Sequence, residues 1–140
     1  GYAAFSLPPI HNFWLYLDGF SSTTDPSFDI PGAHPIHFAG MTHYLTYYVR
    51  EKGILRLEDA IRKMTSMPAT HFRLRGRGLL RPGYYADIVV LDLDRLEEVS
   101  TVARPAAYVR GVSFVAVNGE LVIDGGEHTG ARPGRNLLGE

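Results

Sequence analysis

Cysteine is absent from this 140-residue chain, so it holds neither a disulfide framework nor a thiolate metal site. A surplus of charge is missing too: 14 basic residues stand against 15 acidic ones, and a formal net charge of -1 removes the electrostatic case for nucleic acid or an anionic membrane. No apolar run approaches the ~18 residues of a membrane span, and no basic, apolar, small-residue leader is visible. A cytoplasmic location is the default expectation. Several catalytic signatures are lacking as well. The chain has no His-x-His, no His-Glu-x-x-His, and neither of the glycine orders that cradle a phosphate. Ser6, Ser21 and Ser22 have no nucleophile elbow around them. The length suits one domain or a fragment, because a complete barrel enzyme typically needs about 250 residues.

What the chain does have is a set of well-punctuated β segments. Ile88-Val89-Val90-Leu91, preceded by Pro82-Gly83 and followed by Asp92, reads as a buried strand running from about residue 85 to 91. Asn118-Gly119 between two Val-rich arms reads as a two-residue type I′ hairpin. These strands are expected to form the core. Regular pairing across the turn sets Phe114, Ala116, Leu121 and Ile123 on one face and Val115, Val117, Val122 and Glu120 on the other. Both faces are then largely apolar and need cover. A homo-oligomer follows as an expectation, most simply a two-fold dimer; the alternative cover is a missing N-terminal portion of the same polypeptide.

The first half alternates between loop and helix. Phe13 to Leu17 is a short, continuously apolar run ending at Asp18-Gly19, which reads as a buried strand delivering a carboxylate at its C-terminal end, a placement suited to a general acid or base. Ser21 to Pro35 reads as irregular loop. Met41, Leu45, Tyr48 and Val49 share a helical stripe, and Gly53 supplies a left-handed cap, so a helix is expected from about His43 to Lys52. Leu57, Ala60, Ile61 and Met64 predict a second helix from Leu57 to Met67, stopped by Pro68, with Glu58–Arg62 and Asp59–Lys63 pairs on its solvated face. Residues 70–83, with Arg73, Arg75, Arg77 and Arg81 among glycines, read as a connecting loop rather than a nucleic-acid surface. Residues 92–113 read as an excursion with at most a helical turn near Leu96, and 125–140 as a Gly-rich tail. His34, His37 and His43, with Asp18, are the side chains of a type that zinc accepts, in a spacing that is not specific for it.

Larger blocks of the sequence carry a family likeness. Tyr48-Val49-Arg50-Glu51, the segment Leu57 to Ala69, and Asp124-Gly125-Gly126-Glu127-His128-Thr129-Gly130-Ala131-Arg132-Pro133-Gly134-Arg135 together resemble the C-terminal part of the N-acyl-D-amino-acid deacylases, or D-aminoacylases, of the metal-dependent amidohydrolase superfamily. The strand from Gly83 to Asp92 and the hairpin from Val117 to Val122 resemble amidohydrolases more widely. The resemblance implies an α+β fragment: residues 1–67 as the end of a (β/α)8-type barrel, with its last strand, a loop and two helices, and residues 68–140 as the C-terminal share of a small β-sandwich.

Function follows as an expectation of the same kind. The resemblance implies a hydrolase of carbon–nitrogen bonds in non-peptide amides, acting on a small N-acyl amino acid and dependent on zinc. Asp18 matches the aspartate of the family's Ser-Asp-Gly segment, the proton shuttle, with Leu17 in place of the serine. His34-Pro35 matches the start of a His-Pro-Arg segment, which marks His34 and His43 as substrate-binding candidates. Ile36 and His43 stand where the family carries arginines, and neither reproduces a forked guanidinium. The family's His-x-His and its other metal ligands lie upstream, so no metal-ligand set is expected in this chain, and alone it is expected to be inactive. The other reading is a stand-alone, non-catalytic module that self-associates.

Overall fold

The structure is a computed structural model that describes residues 35–137; the expected strand at Phe13–Leu17 lies outside the described residues. Helix α1 spans Ile36–His43 and continues without a break into a wider π-helical segment, Tyr44–Glu51. Helices α2 and α3 are Leu57–Met64 and Ser66–His71. A four-stranded antiparallel sheet follows in simple order, β1 (Ile88–Leu91), β2 (Val112–Val117), β3 (Glu120–Asp124) and β4 (Glu127–His128). Helices first and an antiparallel sheet second is the α+β arrangement that the sequence implies. Among the described residues no helix is long and apolar enough to cross a membrane.

The first helix begins earlier than its apolar stripe suggests. Pro35 sits at its N-terminus, where a missing N–H costs nothing, and its carbonyl accepts from Phe38 and Ala39. The expected cap at the other end is present. Gly53 adopts φ +58, and Ile54 donates back to the Tyr48 carbonyl at 3.0 Å.

Pro68 does not end the second helix. The chain breaks at Thr65, whose φ of -126 and ψ of -85 leave the helical region, and Pro68 falls inside the first turn of α3, where proline is tolerated. Asp59 is also held by Arg56, one turn before it, at 3.0 Å, while the charges of Arg62 and Lys63 act on it from the following turn. The Arg56 contact holds the Asp59 carboxyl below its usual range.

The core lies beside the sheet rather than within it. Tyr44, Leu45, Tyr48, Ala60 and Leu96 form the buried cluster, with Leu91 and Val112 packed against it from the sheet. No strand residue among those described is fully buried, which corrects the expectation that the strands form the core. Leu96, at 2% exposure, is the anchor of the segment between β1 and β2. It belongs to no helical turn. Instead Glu97 and Arg110 exchange backbone hydrogen bonds of 3.1 Å, folding the segment into a long closed loop. Arg50 reaches across and donates to the carbonyls of Leu96 at 2.7 Å and Leu93 at 2.9 Å, tying that loop to the π-helical segment.

The hairpin forms as its Asn-Gly pair dictates, with φ of +51 at Asn118 and +85 at Gly119. Its faces differ from the regular pattern because a bulge at Val122 shifts the register: Val117 pairs Glu120 and Ala116 pairs Leu121, but Val115 then pairs Ile123. Cross-strand partners share a face, so Ile88, Val90, Phe114, Ala116 and Leu121 fall together, while Val115 joins Val89 and Ile123. The second set lies on the side of Leu91 and Val112, which meet the helices. On the first, Val90, Phe114 and Leu121 are 48%, 40% and 43% exposed. Among the described residues apolar side chains are thus exposed on both faces, since Val89 of the second set is 56% exposed, whereas Val115, Val117 and Val122 are half-buried.

Candidate functional site

Two of the three sequence-derived site residues, Asp18 and His34, lie outside the described residues, whereas His43 is placed at the last residue of α1. The sequence brings an aromatic run after it, and the wider π-helical turns gather these rings on one side. The His43 ring stacks on Tyr47 with centroids 5.1 Å apart and planes 11° apart, and meets Tyr48 edge-on at 5.9 Å. Tyr48 in turn packs edge-on against Tyr47 at 5.0 Å. Burial, reinforced by the neighbouring Tyr47, pushes the Tyr48 hydroxyl above the usual phenol range.

A carboxylate from the loop between β1 and β2 closes this cluster. His43 Nδ1 lies 2.9 Å from Glu98 Oε1, and Thr46 Oγ1 donates to the same oxygen at 2.8 Å. Thr46 is buried, at 3% exposure, so Glu98 supplies an acceptor that water cannot. The residues sequence reasoning missed are thus Glu98 and Thr46. Thr46 lies one helical turn from His43, but nothing local marks Glu98, which is 55 positions away.

A second polar node lies at the other end of the sheet. Arg77, with its side chain 10% exposed, pairs with Asp87, donates to Asn118 Oδ1 and stacks over the Tyr85 ring at 4.2 Å. Asn118 donates from its backbone to Asp87 at 2.8 Å and from its amide to the Pro133 carbonyl at 2.7 Å. The hairpin turn, the arginine loop and the tail are locked together there.

Among the described residues no group of three His, Asp or Glu side chains stands close enough to hold a metal ion. His37 falls within α1, and His71 and His128 lie in α3 and β4. The described residues therefore do not fit the metal.

Comparison with known proteins places these features. The description of the amidohydrolase family matches residues 18–123, beginning at Asp18. N-acyl-D-aspartate deacylase of Alcaligenes xylosoxydans xylosoxydans is 44% identical over 108 residues, covering 76% of this chain and 22% of that protein. The crystal structure of a D-aminoacylase superposes with a TM-score of 0.72 at 37% identity, over 75% of this chain and 22% of the other. N-acyl-D-glutamate deacylase from Bordetella bronchiseptica, solved with zinc and a phosphonate inhibitor, superposes with a TM-score of 0.62 at 39% identity, over 64% of this chain and 19% of the other. The chain spans about a fifth of the length of the relatives it matches. On the extent of these matches, and with its likeness to the D-aminoacylases, the chain belongs to the amidohydrolase family.

Proposed function

We propose that this chain is the C-terminal part of an enzyme that hydrolyses the amide bond of N-acyl-D-amino acids, with residues 1–67 ending its barrel and residues 68–140 contributing to its β-sandwich. The observation that carries the reading is the 44% identity to N-acyl-D-aspartate deacylase across three quarters of the chain, supported by the superposition on D-aminoacylase. Asp18 acts in it as general base and then general acid: its carboxylate takes a proton from the attacking water and returns it to the departing amine nitrogen. His34 and His43 contact the substrate, and the Glu98 and Thr46 contacts hold the His43 ring in place. Zinc belongs to the complete enzyme, and its ligands come from outside residues 35–137.

The chain by itself is inactive on this reading, because proton transfer by one carboxylate does not replace the missing site. Assays on N-acetyl-D-aspartate, N-acetyl-D-glutamate and neutral N-acetyl-D-amino acids, with their L-enantiomers as controls, test it. Turnover by the polypeptide extended to the relatives' length, and none by residues 1–140, is the expected result; turnover of the L-enantiomers alone contradicts the assignment.

The exposed side chains of Val90, Phe114 and Leu121, and the place of β1 at the edge of the sheet among the described residues, support a further part of the proposal. Edge strands with apolar side chains seek a neighbour. In the complete enzyme the remaining polypeptide takes that place, and in the isolated chain a second copy does.

A further inference from the structure

We propose that Asn118 is a site of spontaneous deamidation that the folded node of Arg77, Ala86 and Pro133 holds shut, and that its conversion releases the tail from the hairpin. Of the asparagines in the chain only Asn118 is followed by glycine. The turn requires that pair, because its type I′ geometry needs positive φ at both central positions, met by +51 at Asn118 and +85 at Gly119. The same pair is chemically exposed, since glycine puts no side chain beside the amide nitrogen that follows the asparagine.

The reaction consumes water and releases ammonia, with no change of oxidation state. The Gly119 backbone nitrogen, after losing its proton to solvent base, attacks Asn118 Cγ. The N–Cγ bond forms, the Cγ–Nδ2 bond breaks, and Nδ2 leaves as ammonia. Water then opens the cyclic imide, at Cγ to give aspartate or at the Asn118 backbone carbonyl carbon to give an isoaspartyl link.

Steric cover does not protect this site. Gly119 is exposed, and a Cβ built on it would meet nothing within 4 Å. Protection comes from hydrogen bonds on both reacting groups. Gly119 donates its N–H to the Ala86 carbonyl at 3.0 Å, so the proton that must be lost is engaged. Asn118 Oδ1 accepts from Arg77, and Nδ2 donates to the Pro133 carbonyl at 2.7 Å, which together stop the side chain from rotating toward the attacking nitrogen. Arg77 is itself fixed, being paired with Asp87 and stacked over Tyr85. Arg77 and Pro133 lie 41 and 15 positions from Asn118, so this protection exists only in the folded chain.

Conversion undoes the node. An aspartate at this position presents an oxygen where Nδ2 met the Pro133 carbonyl, and two acceptors repel. It also brings a second carboxylate to Asp87, which already accepts from the Asn118 backbone at 2.8 Å. An isoaspartyl link adds a methylene to the backbone and breaks the two-residue turn. Either product loosens the tail. The inference uses neither Asp18 nor the histidines, and it stands apart from the deacylase reading.

The experiment follows the full 140-residue chain over time, at one pH, in buffer and in guanidinium chloride, with peptide mass mapping of aspartate and isoaspartate. In denaturant Asn118 should convert ahead of Asn12 and Asn136, neither of which precedes glycine. In buffer its conversion should be slower by roughly tenfold or more, because opening must break one charge-assisted hydrogen bond and two neutral ones. Arg77→Met removes the donor to Oδ1 and should speed conversion in buffer by roughly tenfold. Arg50→Gln cuts the tie to the Leu96 carbonyl, away from the turn, and should leave the rate within about twofold if local opening governs it. Asn118→Asp should shift the amide resonances flanking Pro133 in a nitrogen–proton correlation spectrum. Equal rates in buffer and denaturant, equal acceleration in Arg77→Met and Arg50→Gln, or an unmoved tail in Asn118→Asp overturns the proposal. The comparison of buffer with denaturant uses the unaltered chain and decides the matter even where a variant fails to fold.

Discussion

Glu98 accepts from two side chains one helical turn apart, His43 at 2.9 Å and Thr46 at 2.8 Å, and so fastens the loop between β1 and β2 to the end of α1. Replacing Glu98 by Ala leaves the buried Thr46 hydroxyl without its nearest side-chain acceptor. A loss of about 1–2 kcal/mol is expected, read as a lower urea midpoint with an unchanged slope. Glu98→Gln retains a carbonyl acceptor and should lose less. Equal losses in the two variants would show that the contact carries charge rather than a hydrogen bond.

Gly78 and Gly83 share nearly the same backbone conformation, φ +79 and +85, but differ in surroundings. A Cβ at Gly78 meets Ala69 Cβ at 2.7 Å and the Thr65 carbonyl oxygen at 2.9 Å, whereas one at Gly83 meets nothing within 4 Å. Gly83→Ala should therefore cost only the left-handed backbone term, about 1 kcal/mol. Gly78→Ala adds overpacking of about 1–3 kcal/mol, so the difference in thermal or urea stability between the variants measures the close approach.

Asp59 gives a pH-dependent prediction. Its hydrogen bond with Arg56 is the main cause that lowers its folded-state pKa, so the pair stabilises the fold above the unfolded carboxyl range. That contribution is lost as the pH falls through the lowered folded value. Arg56→Gln should raise the Asp59 pKa by carbon NMR titration, and the stability gap between variant and parent should close in acid. Both groups are solvent-exposed, so added salt should narrow the gap at neutral pH as well.

The parts of the fold that were legible from sequence are those decided within a few residues. Asn118-Gly119 names its own turn, Gly53 its cap, and Leu57 to Met64 its helix. Pro68 misled because proline stops a helix from within yet is accepted in a first turn, and the break belongs to Thr65. The bulge at Val122 has no residue-type signal, and it alone moves Ile123 to the other face. Contacts across 40 residues or more, such as Arg50 to the Leu96 carbonyl or His43 to Glu98, are set by packing and leave no local pattern. Of the candidate site, the sequence shows residue types and a family likeness; what holds His43 in place becomes visible only when the loop after β1 is folded against it.

Self-association follows from the exposed apolar side chains of the sheet. The isolated chain should sediment as a dimer at micromolar concentration, and Val90→Lys/Phe114→Lys should weaken it by roughly tenfold or more, since both side chains are exposed and share a face. Val117→Lys falls at a half-buried position and should reduce stability instead. A monomer with unfolding independent of concentration contradicts the dimer.

The most direct test of the central claim is the rate of N-acetyl-D-amino-acid hydrolysis by the polypeptide extended to the relatives' length, compared with its Asp18→Asn variant. The account predicts a fall in kcat of roughly a hundredfold or more, with KM little changed and the folded spectrum retained, as removal of a general base requires. Full activity in the Asp18→Asn variant, or no deacylation of any N-acyl-D-amino acid by the intact parent, would contradict it.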